Sequence, residues 1–569
     1  MIFWDFLVWI LIIFPLATGG LWIQRPGLKL EHTELAVPVL IVTALGYFLV
    51  KKRNLDLSQA SSVRLAKKLW QLWNSLLQKA PRKALIGAAL FMAMVLSAAS
   101  IRRHWAFGSG AYDLGIFTNG LWNLGHGNGY FSSVRGGINL LTDHQSFIVW
   151  LISPLFNYFG SPEFLLILQA VGISLGGIST YFLARQYLGS KSWATAALPL
   201  LYWSYFPVRN ANAFDFHPET LMLPFLLFAI TGIQSSRIGT RVFGFVALIL
   251  GLMAKETAPA VVTGIAIGWI LGAGPVRTQN FTKRVGVILV PLATTLFFLE
   301  LKWVPHLIGG EHYHLHAHLS QYGGSLTDLF FAPILKPGVF WGNLLGPSRL
   351  KFLFYTLAPL AFLPIFAWRN LIAALPGYIL LFLTEGDHKV SIQYHYAIEP
   401  AVGLFWAFPA AIQMASHPLF SGRAPKLLKT FALPGVVLFF ALTFFGRSEF
   451  YRIRKNAPTA HQEWIRKSLI PCLSEVPLAG STALIPHVST RAWAREIGVL
   501  VQSSGAPVNC VFFDYNLNNW SMGGAPWDGF LATLKTSGYQ SAFQCGGTAL
   551  YELSSAPGSC LRCQPDCTP

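Results

Sequence analysis

Charge is what this chain has least of. Only 12% of its 569 residues are charged, against about 25% in a soluble domain. So little charge cannot clothe a soluble surface, and repeated apolar runs of spanning length point to a bilayer. Acids are scarcer than bases, 24 against 42, leaving a net charge of +18. Cysteine is absent before position 472. No GxxxxGK[ST] loop occurs, so there is no case for ATP as a driving ligand. No basic stripe interleaves with stacking aromatics outside the apolar runs, which argues against nucleic acid as a partner. No inverted repeat is evident, which weakens a secondary-transporter reading. The first residues, MIFWDFLVWILIIFPLATGGLWI, lack a basic leader and a small-residue cleavage site, and read as an uncleaved span.

What is present is apolar: 53% hydrophobic residues and a mean hydropathy of +0.48. The pattern predicts a mainly α, polytopic membrane protein. Spans are expected near 3–23, 34–50, 84–101, 163–187, 193–207, 217–234, 241–254, 257–273, 284–303, 352–368, 371–384, 398–415 and 429–446, about 13 in all. The segment 144–160 carries Pro154 and reads as peripheral or re-entrant. The loop 51–83 holds nine Lys or Arg and one acid, Asp56, which marks it as cytoplasmic. The basic turns Arg185/Lys191, Arg237/Arg241 and Arg277/Lys283/Arg284 alternate consistently with it. The N-terminus is then cytoplasmic, and the polar loop 104–146 faces outward. The expected location is the bacterial cytoplasmic (inner) membrane. Three parts follow: 1–83, two spans and a basic loop; 84–446, a multi-spanning core with outer loops; 447–569, a small extracytoplasmic domain, periplasmic or extracellular.

That last part is polar and mixed in pattern. STALIP, VNCVFFDY and ALYEL read as short strands, and WDGFLATLKTSG as a helix ended by Gly538, which makes a small α/β domain. It holds all six cysteines, Cys472, Cys510, Cys545, Cys560, Cys563 and Cys567. An even number confined to an outer domain reads as disulfides in an oxidising compartment, with 15 pairings open.

Polar residues costly at membrane depth gather on the expected outer face. The loop 104–146 supplies Asp113, Arg135, Asp143 and His144. FDFHPET supplies Asp215, His217 and Glu219, and MAKETAP supplies Lys255 and Glu256. EHYHLHAH supplies Glu311, His312, His314, His316 and His318. EGDHKVSIQYHYAIEP supplies Glu385, Asp387, His388, His395 and Glu399. Each has a plainer role open to it. Asp113 could cap the helix beginning LGIFTNGLWN. Lys255 and Glu256 could pair with each other at a hairpin tip. His395, between two tyrosines, could belong to an interfacial aromatic belt. His312 and His316 stand at i, i+4, a spacing that suits a divalent metal if helical, and interfacial histidines equally.

Taken in order, YDLGIFTNGLWN, YFSSVRGGINLLTDHQSF, FDFHPE, the KE of MAKETAP, QYHYAIEP and IPHVSTR resemble one family. It is the predicted membrane-protein family designated domain of unknown function 2079, and the resemblance spans roughly 85–555. That family is itself similar to GT-C glycosyltransferases, multi-spanning enzymes that use lipid-phosphate sugars on the outer side. The resemblance implies a GT-C-like core, a polyprenyl-phosphate sugar donor, an envelope acceptor, and transfer on the outer face. It implies Asp113 as the acid in the first outer loop, serving as base or metal ligand. The second acid expected five residues on is Thr118, followed by Asn119, which weakens a two-carboxylate metal site there. Asp143 and His144 could serve in its place if the loop folds back. Arg135 and Lys255 are candidate phosphate partners, with His217, Glu256 and His395 beside them. The alternative is a non-enzymatic protein, a transporter or a scaffold presenting the disulfide-linked domain. Convergence of Asp113, Asp143, His217 and Glu256 in one site would separate the two.

Overall fold

A computed structural model describes residues 61–308, 319–323, 326–415, 449–498, 508–517 and 527–567. The spans expected at 3–23, 34–50 and 429–446, and the histidines of EHYHLHAH, lie outside these residues.

Helix α1 (Ser61–Lys79) leads into α2 (Pro81–Trp105). Pro81 stands in the first turn of α2, where a missing N–H leaves no bond unmade. Ile86, Leu90, Phe91 and Met94 on α2 are exposed, an apolar face that only lipid or another apolar surface would cover. Then come α3 (Ile116–Gly125), α4 (Val149–Phe159), α5 (Pro162–Leu188), α6 (Trp193–Ser204), α7 (Phe206–Ala213) and α8 (Met222–Ile233). They are followed by α9 (Ile238–Leu252), α10 (Ala258–Ile270), α11 (Gln279–Leu307), α12 (Leu326–Leu335), α13 (Pro337–Leu344), α14 (Pro347–Leu357), α15 (Leu375–Leu383) and α16 (Ile398–Ala415).

Among the described residues, five helical runs are long and apolar enough to cross a membrane: 81–105, 162–188, 276–307, 363–383 and 398–415. Four shorter apolar helices accompany them, at 149–159, 218–233, 238–252 and 258–270. Two expected spans are broken. The run 193–207 divides at Tyr205, just before Pro207, which cannot donate to a carbonyl one turn back. The run 352–368 stops at Leu357. Pro359 and Pro364 flank Ala361 and Phe362, whose φ of 49° and 58° is incompatible with a right-handed helix. Helix α4 has 11 residues, about 16 Å of rise, and is too short to cross.

The helices share one core, with Leu96 of α2, Ile173 of α5, Leu226 of α8, Val262 of α10 and Phe405 of α16 among its members. Helices α8 and α9 touch backbone to backbone. A Cβ on Gly232 would come within 2.5 Å of the Gly244 Cα, so small residues set this crossing. Trp105 Nε1 donates to Glu163 Oε1 (2.9 Å), joining the last turn of α2 to the first turn of α5. The helix directions then gather the segments after α2, before α8, between α9 and α10, and before α16 at one end. Arg185, Arg237 and Arg277 fall at the other.

The tail strands are β3 (Leu478–Gly480), β4 (Ala494–Glu496), β5 (Cys510–Asp514), β6 (Tyr539–Cys545) and β7 (Thr548–Leu553), after a short hairpin of β1 (Phe131–Ser132) and β2 (Ile138–Asn139) in the first loop. The sheet order is β4-β3-β5-β7-β6, with β3 parallel to β4 and β5 and the rest antiparallel. Helix α17 (Trp527–Thr536) covers it and stops before Gly538, at φ 81°. STALIP is not a strand. It follows β3 as a turn running into the helical turn Ile485–Val488, because Pro486 and two hydroxyl residues favour a cap over a ladder. Disulfides join Cys472 to Cys563, Cys510 to Cys560 and Cys545 to Cys567.

The first loop and this sheet form one unit of packing. Leu114, Phe117 and Leu121 share a core with Leu478, Ile485 and Phe512. Asn119, fully buried, donates to the Ser489 and Arg491 carbonyls (3.2 and 2.7 Å) and accepts from Ser133 N (2.8 Å).

Candidate active site

Asp113 sits in a π-helical turn, Ala111–Gly115, just before α3. It does not cap that helix, whose cap is Gly115 with no side-chain bond. The wide turn instead sends its carboxylate across to another segment. Asp113 Oδ1 lies 3.2 Å from His217 Nε2. The other ring nitrogen, Nδ1, lies 3.2 Å from the Asp215 carbonyl oxygen. The turn is braced by Asp215, which accepts from Gly110 N (2.7 Å) and pairs with Arg103 (2.6 Å).

His217 stacks on His395, ring centroids 3.7 Å apart and 25° from parallel. His395 Nε2 in turn lies 3.1 Å from Glu219 Oε1. Burial drives the His395 pKa well below the usual histidine range, and the neighbouring His217, Lys255 and His144 push the same way. His395 is therefore a buried ring stacked on His217, not a residue of an aromatic belt.

Lys255 does not pair with its neighbour Glu256. Its Nζ lies 2.6 Å from Glu219 Oε2 and 3.2 Å from Glu399 Oε1, and Thr257 Oγ1 donates to the same Glu399 oxygen (2.7 Å). Burial opposes the ammonium, but the carboxylates of Glu219, Glu399 and Glu256 outweigh it and hold the Lys255 pKa above its usual value. Glu256 accepts from Gln145 N (3.1 Å) and stands 3.9 Å from His144 Nδ1. Burial works against charge on His144, yet the Glu256 and Asp143 carboxylates raise its pKa.

The result is a continuous row: Asp113, His217, His395, Glu219, Lys255, Glu399. Five of its members are buried. Asp113, with 29% of its side chain exposed, is the end that reaches open space. Such a row can fix the position of one carboxylate and hold protons and charge behind it.

Of the expected site residues, Asp113, His217, Lys255 and His395 come together here, and Glu256 with His144 lies alongside. Asp143 does not join the row. It pairs with Arg135 (3.0 Å) inside its own loop. Arg135 and Lys255 are thus both engaged by carboxylates. Glu219 and Glu399 are integral members that the sequence placed near the face but not in the site. Their signal was spacing: Glu219 falls two residues past His217, and Glu399 four past His395. Lys389 was missed outright. It is buried in the turn Asp387–Val390, and no carboxylate among the described residues forms an ion pair with it. Burial, with repulsion from Lys255, lowers its pKa to about 8.

Among the described residues no three His, Asp, Glu or Cys side chains are placed to share one. The Lys255 ammonium already stands between the Glu219 and Glu399 carboxylates, and Asn119 is committed to the tail.

Residues 103–520 match the family described as "Predicted membrane protein (DUF2079)". This chain belongs to that family. No curated protein is similar enough to stand as a relative. Among solved structures, this DUF2079 chain is similar to ArnT from Cupriavidus metallidurans bound to undecaprenyl phosphate, at 14% identity and a TM-score of 0.46. The match covers 82% of this chain and 98% of that one. It is also similar to the Archaeoglobus fulgidus oligosaccharyltransferase in the apo form, at 11% identity and a TM-score of 0.39, over 76% of this chain and 69% of that one. AglB from the same organism, in complex with an inhibitory peptide and a dolichol-phosphate, gives 12% and 0.39, over 86% and 77%. Likeness at this level assigns no residue and no substrate.

Proposed function

We propose that this protein is a membrane glycosyltransferase of GT-C type, moving a sugar from a polyprenyl-phosphate donor to an envelope acceptor on the outer face. One observation carries the reading: a partly exposed carboxylate, Asp113, fixed by His217 at the end of a buried charged row. In the step proposed, an acceptor hydroxyl attacks the anomeric carbon. Asp113 takes its proton, and the bond from that carbon to the phosphate oxygen breaks, releasing polyprenyl phosphate. No metal is assigned a step.

The leaving phosphate needs a cation. Lys389 is the candidate, since Arg135 and Lys255 already have partners. Thr384, on the segment that leads to Lys389, lines an apolar cavity of about 490 Å³ with Phe297, Phe330, Ile379 and Leu383. That cavity is of a kind a prenyl tail could enter. The outward orientation and the inner-membrane location rest on the basic turns at the far end and on three disulfides near the site end.

The test is a deletion strain complemented with wild type or Asp113→Asn. Mass spectrometry of envelope glycans and lipid-linked sugars should show one glycan lost and its polyprenyl-linked precursor accumulated. Wild type restores the profile and Asp113→Asn does not. An unchanged profile, or full rescue by Asp113→Asn at equal abundance, favours the scaffold reading instead.

A further inference from the structure

Helix α1 has three faces. Trp70, Trp73 and Leu77 pack against Leu85, Tyr181 and Ala196. Trp73 Nε1 donates to the Ala196 carbonyl and Gln78 Nε2 to the Ser190 carbonyl, both at 2.8 Å. These bonds hold α1 across the end of the bundle where α2 begins and α5 ends. A second face carries Leu65, Leu69, Leu72 and Leu76, spaced i, i+4, i+7, i+11. At about 100° per residue they fall within roughly 60° of arc. They are between 45% and 58% exposed. The third face is polar and basic. From 64 to 83 the bases are Arg64, Lys67, Lys68, Lys79, Arg82 and Lys83, and no Asp or Glu interrupts them.

An exposed leucine stripe beside a basic face marks a binding surface. Its partner follows from place and charge. Helix α1 ends two residues before Pro81, where a membrane-length helix starts, so the bilayer surface is its immediate neighbour. The unbroken basic charge selects anionic headgroups.

We propose that α1 lies in the plane of the membrane, its leucine stripe among the acyl chains and its lysines on anionic phospholipid headgroups. It is an in-plane anchor that fixes the tilt of α2, and with it the turn that carries Asp113. The proposal does not depend on the chemistry of the active site.

The test uses the full chain. The described residues contain no free cysteine, so a nitroxide attached at Leu69→Cys reports one site. The protein is reconstituted in nanodiscs of phosphatidylcholine alone or with phosphatidylglycerol. Power-saturation spectra are expected to show collision with oxygen exceeding collision with a water-soluble nickel chelate, at a depth of about 5–10 Å below the phosphates. A label at Gln71→Cys, on the polar face, should show the reverse. Phosphatidylglycerol should deepen the Leu69 label, and Lys67→Gln with Lys68→Gln and Lys79→Gln should remove that difference. Nickel access at position 69 would overturn the proposal. So would protection from both reagents, since the stripe would then lie against protein, either residues 1–60 or a second copy. Equal depth in both lipids would overturn the choice of anionic headgroups.

Discussion

On the proposed function the chemistry rests on Asp113, and His217 Nε2, 3.2 Å from its carboxylate, would aim it. Removing the base while keeping its shape, as Asp113→Asn does, should lower transfer by about 10²–10⁴-fold, read in a turnover assay at unchanged melting temperature. Lys255 is a different kind of residue. With Glu219 and Glu399 in contact it neutralises buried carboxylates. Lys255→Met should destabilise the protein by about 3–5 kcal/mol, because it leaves buried charge unpaired. Thermal melts should show part of that loss recovered in Lys255→Met with Glu219→Gln and Glu399→Gln. Lys389 supplies a pH dependence. Burial and the nearby Lys255 lower its pKa to about 8, so its charge is present below that pH and lost above it. Phosphate monoesters are dianionic from about pH 7 upward. Affinity for polyprenyl phosphate should therefore fall as pH rises from 7 to 10, and Lys389→Arg should flatten the curve. A flat curve in the wild type would remove Lys389 from the phosphate site.

At the scale of elements, the first loop is held by the tail rather than by the membrane helices alone. Asn119 ties α3 to the segment between β3 and β4. Asn119→Ala leaves buried carbonyls without donors, and should cost about 1–3 kcal/mol. The expected signature is faster proteolysis of the 104–146 loop. The same residue explains one limit of reading this chain as a string. Thr118 and Asn119 looked like a missing second acid. Both are fully buried, and Asn119 carries architecture rather than ligation. The element pattern was legible where periodicity was strong, as in α2, α5, β5 and α17. It failed where prolines break apolar runs, at Tyr205 and at Ala361–Phe362, because hydropathy does not register backbone geometry. Gly232 is a further element-scale case. Gly232→Leu should separate α8 from α9, since a Cβ there already meets backbone.

In the whole molecule, distant segments converge. FDFHPET, MAKETAP and QYHYAIEP lie far apart in sequence yet meet through Glu219, Lys255, His395 and Glu399. The sequence located these motifs at one end through charge alternation. It could not pair them, because the stacking of His217 on His395 and the sharing of Lys255 are properties of packing. For the same reason Lys389 went unseen: only the folded chain shows that it is buried near Lys255 with no ion pair among the described residues. In the proposed function the buried row ending at Asp113 supports sugar transfer from a lipid-phosphate carrier. The most direct measurement uses proteoliposomes loaded with lipid-linked sugars extracted from the native membrane, with release of free polyprenyl phosphate followed by mass spectrometry. Wild type should convert one lipid-linked sugar to free carrier when acceptor extract is added, and Asp113→Asn should leave that pool intact. A pool untouched by the wild type, or consumed equally by Asp113→Asn, would contradict the account.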